Sequence, residues 1–124
     1  LGEFGERIGI AFQVIDDILD LEGEAEVVGK SVGRDLAKGK LTLPMILLLD
    51  GTDAANFARA VEVFRSRDAA GLLALLRAGD PIDRARDYAV TQIELALRAI
   101  DGLDLGGTED LLGDLARAVI SRDR

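Results

Sequence analysis

Three carboxylates, Asp16, Asp17 and Asp20, stand inside the otherwise apolar run Phe12-Gln13-Val14-Ile15-Asp16-Asp17-Ile18-Leu19-Asp20. The neighbours Ile8, Ile10, Phe12, Val14, Ile15, Ile18, Leu19 and Leu21 argue for a largely buried helix. On such a helix positions 16 and 20 lie one turn apart on one face, with 17 beside them. Three like charges gathered there repel one another and cost desolvation, so something positive has to offset them. A divalent metal held by hard oxygen ligands is the natural candidate. Residues 22–40 then supply the opposite charge, with Lys30, Arg34, Lys38 and Lys40 interspersed with Gly23, Gly29, Gly33 and Gly39. Glycine lets backbone N–H groups come close to an anion. Metal-bridged carboxylates facing lysines suit a diphosphate, some of whose oxygens bind Mg²⁺ while others meet ammonium groups.

The elements that must carry these residues read as helices. The chain has 124 residues, 48% of them hydrophobic and 4% aromatic, and no segment alternates with a period of two. A buried helix is expected over 1–21, followed by a polar glycine-rich loop over 22–39. Further helices are expected from Leu41 with Pro44 in the first turn, over 54–66 capped by Asp53, and over 69–77 capped by Asp68 and closed by Gly79. Asp80-Pro81 opens a helix over 81–101, whose Ile82, Ala85, Ala89, Ile93, Ala96, Leu97 and Ile100 fall on one stripe. Thr108, with Glu109 and Asp110 behind it, opens the last helix, to about Ser121. Residues 1–124 therefore read as a single all-α piece, a helical bundle of about six helices.

Composition narrows the chemistry. With no cysteine and no histidine, these residues offer no disulfide, thiolate nucleophile, ordinary zinc site or imidazole acid–base group. A net charge of −8 argues against general nucleic-acid binding and against a polybasic membrane anchor. No apolar run is long enough to span a bilayer, and no stretch has the make-up of a secretory signal, so a cytoplasmic protein is the default expectation. The chain begins at Leu1, within what already reads as a helix, and is expected to be a piece of something longer.

Two blocks together carry a family resemblance. Gly9-Ile10-Ala11-Phe12-Gln13-Val14-Ile15-Asp16-Asp17-Ile18-Leu19-Asp20 resembles the second aspartate-rich motif of the trans-isoprenyl (polyprenyl) diphosphate synthases. Residues 29–44, Gly-Lys-Ser-Val-Gly-Arg-Asp-Leu-Ala-Lys-Gly-Lys-Leu-Thr-Leu-Pro, resemble that family's Gly-Lys, Gly-x-Asp-Leu and Gly-Lys-x-Thr-Leu-Pro segments in order and spacing. The resemblance implies the C-terminal portion of the isoprenoid synthase fold, and Mg²⁺-dependent head-to-tail extension of an allylic diphosphate with isopentenyl diphosphate. Carried over, Asp16 is the direct ligand of one Mg²⁺, aided by Asp17 and Asp20. Lys30 holds the allylic diphosphate, Lys40 adds charge nearby and Asp35 orients lysine or metal-bound water. Gln13 sits by the developing allylic cation and Phe12 near the isopentenyl group. The family's first aspartate-rich motif has no counterpart in these residues, so the chain alone is not expected to turn over. A non-catalytic partner subunit of such a synthase and a related terpene synthase are the alternatives.

Other readings of the same residues fail on spacing. A phosphate-binding P-loop at Gly29-Lys30-Ser31 would need a glycine where Glu24 stands, after a strand rather than a helix. An EF-hand needs oxygen ligands at alternate positions, which 16–23 do not offer. Arg59, Arg65, Arg67, Arg84, Arg86 and Arg98 are expected on solvated helix faces, and Phe57, Phe64 and Tyr88 in core or interface. Apolar faces on 1–21 and 81–101 left without their usual cover would favour a homodimer or higher oligomer, or a rearrangement that buries them.

Overall fold

The computed structural model describes residues 1–22, 25–51 and 53–121. They form seven helices: α1 (Gly2–Leu19), α2 (Ala25–Ala37), α3 (Leu43–Leu49), α4 (Ala54–Arg65), α5 (Ala69–Ala78), α6 (Pro81–Ile100) and α7 (Glu109–Ile120). There is no strand among the described residues. The chain is all-α, as its composition and periodicity predict and as befits the isoprenoid synthase fold.

The contacts gather into two compact units, Leu1–Asp16 with Arg86–Arg124, and Asp17–Ala85. In the first, α1 buries Phe4, Ala11, Val14 and Ile15, and α6 buries Ala89, Ile93, Ala96 and Ile100 at spacings of three and four. Gln92 is buried on that stripe and accepts a hydrogen bond from Arg7 Nη1 at 2.9 Å. The stripe foreseen on 81–101 is thus covered by the chain itself, while Tyr88 lies on the exposed side. Helix α1 is amphipathic rather than buried all round, since Phe12 remains 47% exposed. The end of α7's preceding loop is closed by Glu109, whose Oε1 accepts from Leu105 N at 2.9 Å. That bond, with backbone N–H groups of Glu109 itself and Gly107, holds the Glu109 carboxyl below the usual range. Thr108 makes no cap bond to α7; its hydroxyl turns back to donate to the Leu105 carbonyl at 2.7 Å.

In the unit Asp17–Ala85, α5 packs against α2, α3 and α4. Leu72, Leu73 and Leu76 of α5 meet Val28, Val32 and Leu36 of α2, Met45 and Leu48 of α3 and Ala60 of α4 in one cluster. Phe64 joins it partly buried, whereas Phe57 is exposed.

Here the expectation of a loop over 22–39 is corrected. Residues 25–37 are helical, and Gly23 and Glu24 lie outside the described residues. A glycine in a helix costs about 1 kcal/mol against alanine. Burial of Val28, Val32 and Leu36, at i, i+4 and i+8, outweighs two such penalties at Gly29 and Gly33. A Cβ on Gly33 would lie 3.6 Å from the Ala69 Cβ, an ordinary contact that marks how near α2 and α5 run. The helix stops at Gly39, which takes φ +69°. Gly39 N donates to the Leu36 carbonyl and Lys40 N to that of Asp35, at 3.1 and 2.8 Å, a Schellman closure.

The remaining caps fall where the sequence places them. Asp53 accepts from Asn56 N at 2.8 Å and Asp68 from Gly71 N at 2.9 Å. Pro44 stands in the first turn of α3, and Pro81 opens α6. At the end of α4, Arg67 occupies the left-handed cap position with φ 55°, where glycine is usual.

Arg84, expected on a solvated face, is partly exposed but holds fixed partners. Its Nη1 donates to the carbonyls of Leu47 and Asp50, each at 3.1 Å, and Nη2 pairs with the Asp50 carboxylate at 3.7 Å. It thereby meets carbonyls that the C-terminus of the seven-residue α3 leaves without helical partners. Gly51 follows with φ +82°; a Cβ there would stand 3.2 Å from Arg84 Nη1.

Candidate functional site

The three carboxylates of the opening motif sit where helix electrostatics least favour them. Asp16 and Asp17 lie in the last turn of α1, Asp20 follows its final residue, and that last turn holds no basic residue. A helix C-terminus carries roughly half a negative charge, so carboxylates placed there add to the repulsion they exert on one another. Burial sharpens this: Asp17 is 9% exposed, and Asp16 and Asp20 are half-buried. Each of the three has partners within the protein. The arrangement attracts cations, and its donors are all oxygens, the kind that Mg²⁺ prefers. Among the described residues, however, no three carboxylates are drawn together into a ready-made cation site.

Within the unit Asp17–Ala85 the fold brings Asp35 of α2 to Asp17 and Asp20. The three border one small cavity of about 10 Å³, together with Thr42 at the head of α3 and the apolar Val32 and Met45. Thr42 is the residue that sequence reasoning missed. It stands inside the Gly-Lys-x-Thr-Leu-Pro string, but a helix expected from Leu41 absorbs it into its first turn, and nothing in its type marks it as part of a polar cluster.

The lysines are presented differently. Lys30 is exposed on the side of α2 away from Val28 and Val32. It borders a separate groove of about 590 Å³ whose floor is Ala69, Ala70, Leu73 and Ala74 of α5, with Arg77 as a second cation on its rim. Arg77 also donates from Nη2 to the Leu21 carbonyl at 2.8 Å, tying α5 to the end of the acidic motif. Lys40 is exposed immediately after the Gly39 turn. Phe12, Gln13 and Asp16 belong to the other compact unit, on α1, with Phe12 and Gln13 exposed and both engaged with partners in the chain.

No helix among the described residues is long and apolar enough to cross a membrane.

Comparison with known proteins adds a family. The model of the polyprenyl synthetases matches residues 1–74, which include the acidic motif, α2 and α3. A "prenyl transferase" of Synechocystis is 33% identical over 122 residues, 98% of this chain and 38% of that protein. "Heptaprenyl diphosphate synthase component 2" of Geobacillus stearothermophilus is 36% identical over 97% of this chain and 38% of its own length. "Octaprenyl diphosphate synthase" of Haemophilus influenzae is 32% identical over 99% of this chain and 39% of its own. The chain therefore spans less than two fifths of the length of these relatives. No solved structure matches it.

Proposed function

This chain belongs to the polyprenyl synthetase family, and from that premise we propose that it supplies one metal-binding and diphosphate-binding part of a prenyl transferase. The reaction proposed for the whole enzyme is head-to-tail extension of an allylic diphosphate by isopentenyl diphosphate. The observation that carries this reading is the clustering of Asp16, Asp17 and Asp20 at a helix end that has no basic residue in its last turn. Charge held at that cost has a use if a cation and an anionic substrate arrive together.

When bound, Mg²⁺ would neutralise the diphosphate and make it a better leaving group. The chain's own residues have separate tasks. Asp16 would be the direct ligand, with Asp17 and Asp20 assisting. Lys30 and Lys40 would meet diphosphate oxygens with ammonium groups, and Asp35 would orient lysine or metal-bound water. Gln13 would face the developing allylic cation and Phe12 the isopentenyl group. Preorganised charge of this kind acts where leaving-group charge builds up.

A second reading is that the chain is part of a partner subunit without turnover of its own. The word "component" in the name of the Geobacillus stearothermophilus relative favours a multi-subunit arrangement for that protein. A homodimer or higher oligomer is proposed here on the same ground, together with the exposure of Leu111 and Leu115 one turn apart on α7.

Calorimetric titration of pyrophosphate, with and without Mg²⁺, tests the diphosphate reading. Binding should require Mg²⁺, and Lys30→Ala should weaken it about tenfold or more, the worth of a hydrogen bond to a charged group. Equal heats with and without Mg²⁺, or an unaffected Lys30→Ala, would count against it.

A further inference from the structure

Thr42 holds a buried polar atom that the fold leaves unmet. The residue is 7% exposed, and its Oγ1 is fully buried with no hydrogen-bond partner. It occupies the N-cap position of α3, where a threonine hydroxyl ordinarily accepts from a backbone N–H two or three residues on. One of those positions is Pro44, which has no N–H, and the side chain makes no cap bond. Buried hydroxyls are almost always hydrogen-bonded, so an orphan asks for an explanation.

The cavity it borders offers one. Its volume of about 10 Å³ approaches what a single water molecule needs, and its polar rim of Asp17, Asp20, Asp35 and Thr42 supplies the partners a buried water requires. A larger ligand does not fit.

We propose that this cavity is the seat of one ordered water molecule joining the start of α3 to the acidic ends of α1 and α2. The Thr42 hydroxyl donates to the water oxygen, and the water donates its two hydrogens to two of the three carboxylates. Thr42 is then a positioning residue: it fixes the carboxylates of the acidic motif without touching the metal. This second role rests on the metal reading above, whereas the water itself does not.

The test pairs diffraction with metal affinity, using the chain, Thr42→Ser and the near-isosteric Thr42→Val. High-resolution maps of the chain and of Thr42→Ser should show one peak about 2.8 Å from the hydroxyl and from two carboxylate oxygens. Thr42→Val should lack it. A hydroxyl donating straight to a carboxylate with no peak would overturn the water. So would a peak with five or six oxygens at about 2.4 Å, which is a cation. Mg²⁺-dependent pyrophosphate affinity should fall about tenfold in Thr42→Val and hold in Thr42→Ser, the size of effect expected of a group behind the ligands. A lost water with unchanged affinity would overturn the positioning role and leave the water standing. A peak in the chain with no Mg²⁺-dependent binding would overturn the metal reading, and the positioning role with it, but not the water. The peak in the unsubstituted chain is decisive even if Thr42→Val does not fold.

Discussion

Leu72→Ala should lower the melting temperature of the chain by about 8–40 °C. Leu72 is completely buried in α5, the helix that packs against α2, α3 and α4, and it sits in the cluster holding the unit Asp17–Ala85 together. Truncating a buried leucine costs about 2–5 kcal/mol, the lost transfer energy plus that of the cavity left behind. For a cooperative unit of this size each kcal/mol corresponds to roughly 4–8 °C. Whole domains have only about 5–15 kcal/mol to lose, so the substitution removes a large share of the stability. Leu111→Ala is the control: Leu111 is 68% exposed, and its loss should shift the melting point by little. Thermal and urea melts decide the matter. A Leu72→Ala shift as small as that of the control would show that α5 is not the centre of the unit.

Asp16→Ala should remove about half or more of the stabilisation that Mg²⁺ and pyrophosphate together give the native chain. A ligand bound only by the folded state stabilises it by about 2.7 kcal/mol at one hundred times its dissociation constant. Loss of a direct oxygen ligand should weaken the Mg²⁺-dependent complex by at least about tenfold, since even groups behind a metal's ligands are worth that much. The melting point of the unsubstituted chain should rise with both components present and not with either alone, while that of Asp16→Ala should rise at most about half as far. In a full-length synthase carrying these residues, the same substitution should abolish Mg²⁺-dependent turnover. Equal shifts in the two chains, or unchanged turnover, would remove Asp16 from the metal site.

Where sequence and structure agree, the reason is local chemistry. Asp53 and Asp68 cap the helices they precede because a short side-chain oxygen reaches a backbone N–H three residues on, whatever the tertiary context. The buried stripe of α6 follows from spacing alone. The disagreements are tertiary. Glycines at 29 and 33 read as a loop, yet α2 forms because the core can bury Val28, Val32 and Leu36 against α5. Arg84 reads as a solvated charge, although an arginine in the first turn of a helix opposes the dipole, a hint that its guanidinium is used elsewhere. Of the candidate site, the acidic motif and its helix were legible, since charge amid apolar residues is conspicuous. The resemblance already placed Asp35 in that site, but the cavity that Thr42 shares with Asp17, Asp20 and Asp35 was not legible. It depends on how α2 and α3 pack, which no spacing encodes.

The bond from Arg84 to α3 also has a bearing on the order of synthesis. The carbonyl of Asp50 waits for a side chain made 34 residues later. At about 5–20 residues per second, that is a delay of roughly 2–7 s on the ribosome. A helix of seven residues is too short to persist alone in water. Until the first turn of α6 has emerged, the segment bearing Thr42 is therefore a nascent stretch without its clasp, and the polar cavity it helps to enclose is among the last parts of that unit to be completed.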